Sequence, residues 1–263
     1  MTFQPYVPTG GLAGWRFLQN TIASQKDAFS ASAVVQRDME YFREKISDVE
    51  TPEQLVNDFR LLSVALNAFG LSEDINNKFL IRKVLEEGTL DPEALANRLS
   101  DTRYRDMARA FGFGDFPVPN TALSDFPDRI AARYVDQSFE QALGNTNNTM
   151  RLALNAQREL VNIAEEDSSN RTKWFRIMGT PPLRQVFEGA FNLPTSFGTL
   201  DLDRQLTVFE ERTEAAFGTS DISELAQPET LERLLDRFAA VAGLTASFGT
   251  QVTSPALVLL RGF

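Results

Sequence analysis

Apolar residues recur at intervals of three and four along most of this chain, and the runs are punctuated by one repeated grammar. From Glu50 to Leu71 the sequence reads ETPEQLVNDFRLLSVALNAFGL. Thr51 is a helix N-cap by type, Pro52 suits the first helical position, and Glu53 places negative charge at the positive end of the helix dipole. Leu55, Phe59, Leu62, Leu66 and Phe69 then form one apolar face. Gly70 fits a left-handed stop, with Leu71 packing back on the last turn. The same order returns at 91–113 (DPEALANRLSDTRYRDMARAFGF), as one helix or as two split near 100–102, and at 227–244 (QPETLERLLDRFAAVAGL). A shorter form lies at 180–193 (TPPLRQVFEGAFNL), where Asn192 replaces the glycine.

Further helices are predicted at 12–29, at 33–46 and from Ser72 to Gly88. The run over 128–164 is either two helices interrupted at 144–147 or one kinked helix. Others follow at 171–178 and 200–217. Phe113–Pro127, with three prolines and Gly114, reads as a break. Residues 1–11 and 245–263 lack helical period and read as extended arms. The expected fold is all-α: two related helical modules, an internal duplication, with extended N- and C-terminal arms. The first module spans 1–116, a linker 117–127, and the second module 128–263.

Composition narrows the chemistry. The 263 residues carry a net charge of −10 with no Cys and no His. That removes thiol and Ser–His chemistry and the usual zinc ligand sets. A chain this acidic lacks the basic footprint of a nucleic-acid binder and is disfavoured at anionic membranes. No apolar run reaches the length of a membrane span, and the first residues lack the order of a cleavable signal peptide. No nucleotide-binding glycine motif occurs. Asp74–Lys78 lacks the glycine of a calcium loop. Glu86-Glu87 and Glu210-Glu211 are adjacent pairs, which do not face one another on a helix. No catalytic residue, cofactor or metal is expected.

Two groups remain as candidate partner contacts. Arg171, Lys173, Arg176 and Arg184 form the locally basic run, a docking patch for an acidic partner unless they pair within the chain. Leu257, Leu259 and Phe263 lie in an apolar tail that either packs on its own module or adds to a partner.

Three stretches carry a family resemblance: GLAGWRFLQNTIASQKDAFSASAVVQRDMEYFREKI at 11–46, LNAFGLSEDINNKFLIRKVLEEGT at 66–89, and KWFRIMGTPPLRQVFEGAFNLPTSFGTLDLDRQL at 173–206. Together they resemble an alphaproteobacterial family of unknown function whose genes lie among flagellar genes, and whose members are often labelled flagellar basal-body rod proteins. The helical middle of this chain differs from the β-rich middle of rod and hook proteins. The resemblance implies a non-enzymatic structural or accessory protein of flagellar assembly, acting through contacts with other flagellar proteins, cytoplasmic or flagellum-associated. The alternative is a cytoplasmic adaptor or chaperone for exported flagellar subunits. A lesser alternative is an enzyme using only carboxylate, arginine or serine groups.

Overall fold

The computed structural model describes residues 3–251, with side chains described to residue 245. All regular structure among them is helical: α1 (Gly11–Ser30), α2 (Ala33–Lys45), α3 (Pro52–Asn57), α4 (Phe59–Ala68), α5 (Lys78–Glu87), α6 (Leu95–Arg98), α7 (Thr102–Phe111), α8 (Phe126–Gly144), α9 (Asn148–Ala164), α10 (Asn170–Gly179), α11 (Pro181–Ala190), α12 (Leu202–Phe217), α13 (Ile222–Leu225) and α14 (Pro228–Gln251). The tail residues Leu257, Leu259 and Phe263 lie outside the described residues.

The described residues form two compact units, one of 3–5 and 22–142, the other of 6–21 and 143–251. The stretch 117–127, expected to be a linker, therefore lies inside the first unit. Its anchor is Thr121, buried, whose hydroxyl donates to the Val49 carbonyl at 2.7 Å. The first half of α1 belongs to the second unit. In the first unit α2 packs on α4, α3 on α4 and α5, and α5 on α7; in the second α9 packs on α11, α10 on α11 and α12, and α14 packs on both α9 and α11, an arrangement that α7 does not repeat against α2 and α4.

The AFGL and AFNL endings close their helices identically. Leu71 N–H donates to the Leu66 carbonyl at 2.8 Å and Leu193 N–H to Glu188 at 2.9 Å. Gly70 and Asn192 both have positive φ. These are Schellman motifs, which satisfy carbonyls orphaned at the helix end. At 144–147 the interruption is real: the Asn147 side chain accepts from Met150 N–H at 3.2 Å and starts α9 as a separate helix.

Three expectations are corrected. Thr51 does cap α3, in a capping box with Gln54. That helix ends at Asp58, however, which takes an extended conformation and caps α4 through the Arg60 and Leu61 N–H groups. Burial opposes the Asp58 charge, but the Tyr41 hydroxyl and those N–H groups outweigh it and hold the carboxyl below its usual range. The break shifts the helical phase, so Phe59 points outward, 62% exposed, while Leu55, Leu62, Leu66 and Phe69 are buried. The 91–113 unit is split near 100–102 into α6 and α7, but Pro92 does not open the first of these helices. The Asp91 side chain accepts from Glu93 N–H at 2.9 Å within a turn, and α6 is only 4 residues long. Finally, α14 does not stop at Gly243 but runs to Gln251. A Cβ on Gly243 would lie 2.8 Å from the Gly11 Cα, so this glycine serves a close helix approach inside the second unit.

Aromatic rings fill both cores. In the first unit, Phe111 meets Phe126 edge-on at 5.1 Å and tilts against Phe69 at 6.3 Å. In the second, Trp174, Phe187 and Phe209 form a fully buried cluster.

Three Tyr–Asp hydrogen bonds tie the first unit together: Tyr41–Asp58 at 2.6 Å, Tyr104–Asp74 at 2.8 Å and Tyr134–Asp38 at 3.1 Å. Burial first, then the adjacent carboxylate, pushes the Tyr104 and Tyr134 hydroxyls up to about 12 from 10.0. The unfolded chain therefore loses these protons before the folded one does. Their contribution to stability is complete below pH 10 and is lost as pH rises to about 12. In urea melts from pH 8 upward, the Tyr134→Phe variant is expected to lose less stability across that window than the parent; equal losses would refute the assignment.

Candidate protein-contact surface

Two loops of the first unit, 86–93 (EEGTLDPE) and 113–125 (FGDFPVPNTALSD), are drawn together by one carboxylate. Helix α5 ends at Gly88, with φ 68 and ψ −152, a conformation reserved almost wholly for glycine. Helix α7 ends at Gly112 in the left-handed conformation, its N–H donating to the Ala108 carbonyl at 2.8 Å. The chain then turns so that Asp115 meets the first loop. Its carboxylate accepts from the Thr89 and Leu90 N–H groups and from the Thr89 hydroxyl at 2.9 Å. Gly88 and Gly114 permit this approach: a Cβ on Gly114 would lie 2.5 Å from the Gly88 nitrogen, and also against the Glu86 carbonyl. Beyond the clamp, the Asn120 side chain donates to the Ala110 carbonyl at 3.0 Å.

The clamp fixes what it displays. Leu90 is 71% exposed, Phe116 50% and Val118 65%. Leu90 and Phe116 flank the Asp115 contact, and Val118 follows across Pro117, within about 7 Å of Phe116 along the backbone. Single exposed apolar residues are ordinary; several gathered on hydrogen-bonded loops mark contact surfaces. Because the loops are already ordered, docking there forfeits little conformational entropy.

The basic run in the second unit is arranged differently. Lys173 is buried, its ammonium donating to the Ala164 carbonyl at 2.7 Å and the Ser223 hydroxyl at 3.0 Å, where it caps the C-terminus of α9. Arg176 pairs with Glu166. Arg184 pairs with Glu188 at 2.7 Å and also donates to the Gln205 side chain at 2.7 Å. Arg171 pairs with Asp203 at 2.6 Å on the surface. The four do not gather as unpaired cations on one open face, and each has a partner within the unit.

Of the carboxylates singled out by sequence, Glu86, Glu87 and Asp74 are engaged. Glu86 pairs with Arg82 at 3.4 Å and Glu87 with Lys83 at 3.6 Å. Asp74 accepts from Tyr104, and from the Asn77 side chain at 2.7 Å. Among the described residues no group of three or more acidic side chains could hold a metal ion, and no helix is long and apolar enough to cross a membrane. An open groove of about 320 Å³ beside α9, α11 and α14 contains the carboxylate Glu188, already paired with Arg184. A second of about 420 Å³ in the first unit contains Arg43 and Asp128, paired at 2.7 Å, and Asp136, paired with Lys26 at 2.6 Å.

Leu90, Phe116 and Val118 escape a periodicity-based reading because they lie outside the helices. The local signal is the Gly-Phe-Gly-Asp run at 112–115, followed by large apolar residues between prolines.

The family model described as "Protein of unknown function (DUF1217)" matches residues 68–231, which include both loops. Among solved structures, the chain is similar to the X-ray crystal structure of a protein from Agrobacterium tumefaciens, a structural-genomics target. The TM-score is 0.73 at 30% identity, covering 90% of this chain and 97% of that one. No curated protein matches the chain.

Proposed function

We propose that this chain, which belongs to the family described as protein of unknown function (DUF1217), works through protein contacts as a non-enzymatic structural or accessory component of bacterial flagellar assembly. One observation supports contact as its mode of action: Leu90, Phe116 and Val118 stand exposed on loops locked by Asp115. A surface built rigidly and left apolar is suited to docking. The flagellar setting comes from the resemblance of residues 11–46, 66–89 and 173–206 to proteins encoded among flagellar genes.

Deleting the gene is expected to abolish or strongly reduce swimming, and a tagged chain is expected to fractionate with basal bodies. A tagged chain that stays in the cytosol with bound export substrates would replace the structural role with an adaptor role. Normal swimming after deletion would overturn the flagellar assignment.

A further inference from the structure

We propose that the Leu90–Phe116–Val118 surface docks an apolar face of a partner protein bordered by lysine and arginine. This rests on the protein-contact reading above and adds the chemistry of the partner. The last two residues of α5 and the two loops after it carry Glu86, Glu87, Asp91, Glu93, Asp115 and Asp125, and no Lys or Arg. Asp115 is consumed by the clamp. Glu86 and Asp125 make surface ion pairs of 3.4 and 3.3 Å, which are weak and exchangeable, whereas Glu87 pairs with Lys83 at 3.6 Å and also accepts from the Leu95 N–H at 2.5 Å. Asp91 and Glu93 are exposed and make no ion pair among the described residues. On the neighbouring helices the basic groups are Lys78, Arg82 and Lys83 of α5, Arg98 of α6, and Arg103, Arg105 and Arg109 of α7; Arg82 and Lys83 pair with Glu86 and Glu87, Arg103 pairs with Asp101 at 2.6 Å, and Arg129 of α8 pairs with Asp125.

Apolar side chains beside carboxylates select a partner of opposite charge, because like charges facing each other across an interface are strongly disfavoured. A second copy meeting the same surface would set these acidic loops against themselves, and an anionic membrane would be repelled in the same way. The described residues offer no strand edge to extend. Recognition therefore falls to side chains, with Leu90, Phe116 and Val118 as anchors and the carboxylates as a polar rim.

The test uses the full chain in its native cell, with p-benzoylphenylalanine at position 116 and, separately, at position 202. Leu202 is 54% exposed in the second unit and serves as the comparison site. Irradiation at position 116 is expected to join one partner protein through peptides rich in Lys and Arg. The charge-preserving double variant Leu90→Ser, Val118→Ser should reduce that product about tenfold without lowering the melting temperature. Joined peptides that are acidic, or that come from a second copy of this chain, would overturn the proposal. So would a crosslink that the double variant leaves unchanged. Capture at 202 but not at 116 would overturn this surface while leaving the contact reading standing. Capture at neither position would count against both.

Discussion

Replacing Trp174 with alanine is expected to cost about 3–5 kcal/mol, the range for large aromatic truncations in a core. Trp174 is fully buried in the second unit. Its ring stacks on Phe209 at 6.1 Å with planes 8° apart and meets Phe187 edge-on at 5.2 Å. The indole N–H donates to the Ser220 carbonyl at 2.9 Å, which ties the turn before α13 to α10. Alanine would leave a void between two other rings and remove that tie. Trp174→Phe separates the two losses. The Ser220 carbonyl keeps a donor in the Asn170 side chain at 3.0 Å, so the missing N–H leaves no orphaned acceptor. That variant should cost about 1–2 kcal/mol, a hydrogen bond plus part of a ring. Urea unfolding followed by circular dichroism checks both. An alanine variant within about 1 kcal/mol of the parent would show that neighbouring rings collapse into the space.

The all-helical class was open to a reader of the sequence because it rests on local signals. Thr51 with Pro52, Asn147, and the Gly70 and Asn192 stops act within a turn or two of chain, and the structure uses each as its chemistry dictates. What failed depended on residues far away or on a competing local signal. Asp58 lies inside an unbroken apolar period, yet its carboxylate offers a second cap, and choosing it rotates Phe59 out of the core. Gly243 carries the same letters as a helix stop. Only the approach of Gly11, more than 200 positions earlier, shows that its missing side chain serves packing instead. Lys173 reads as one cation in a basic run, but the carbonyl it caps belongs to the end of α9.

The contact surface was hidden for a related reason. Glycines and prolines between helices resemble a linker, and in the 113–125 loop they are what allow a tight clamp. The sequence contains the residues of that clamp, but not the pairing of Asp115 with Thr89 across 26 positions. Its apolar display was equally invisible, since exposure of Leu90 and Phe116 follows from that pairing and not from any period.

Gly88→Ala is expected to be the most damaging change at this surface, and two other glycines show why. Gly218 has φ 81 and nothing within 4 Å of a built Cβ, so Gly218→Ala isolates backbone strain, about 1–2 kcal/mol. Gly114 has no positive φ, but a Cβ there would press on the Glu86 carbonyl and the Gly88 nitrogen. Gly114→Ala thus isolates overpacking, about 1–3 kcal/mol. Gly88 combines both. Its conformation excludes a side chain, and a Cβ would lie 2.8 Å from the Gly114 carbonyl carbon and against the Asp115 carboxylate. Asp115 could yield only by giving up its bonds to Thr89 and Leu90, which would release the loop that displays Leu90. Gly88→Ala should therefore cost about 3–5 kcal/mol, near the sum of the other two, because strain and overpacking act together. It should also reduce crosslinking through position 116 under conditions where the variant remains folded. Equal losses for Gly88→Ala and Gly218→Ala would mean that the Asp115 clamp yields freely, and that the loops are not the rigid display this surface requires.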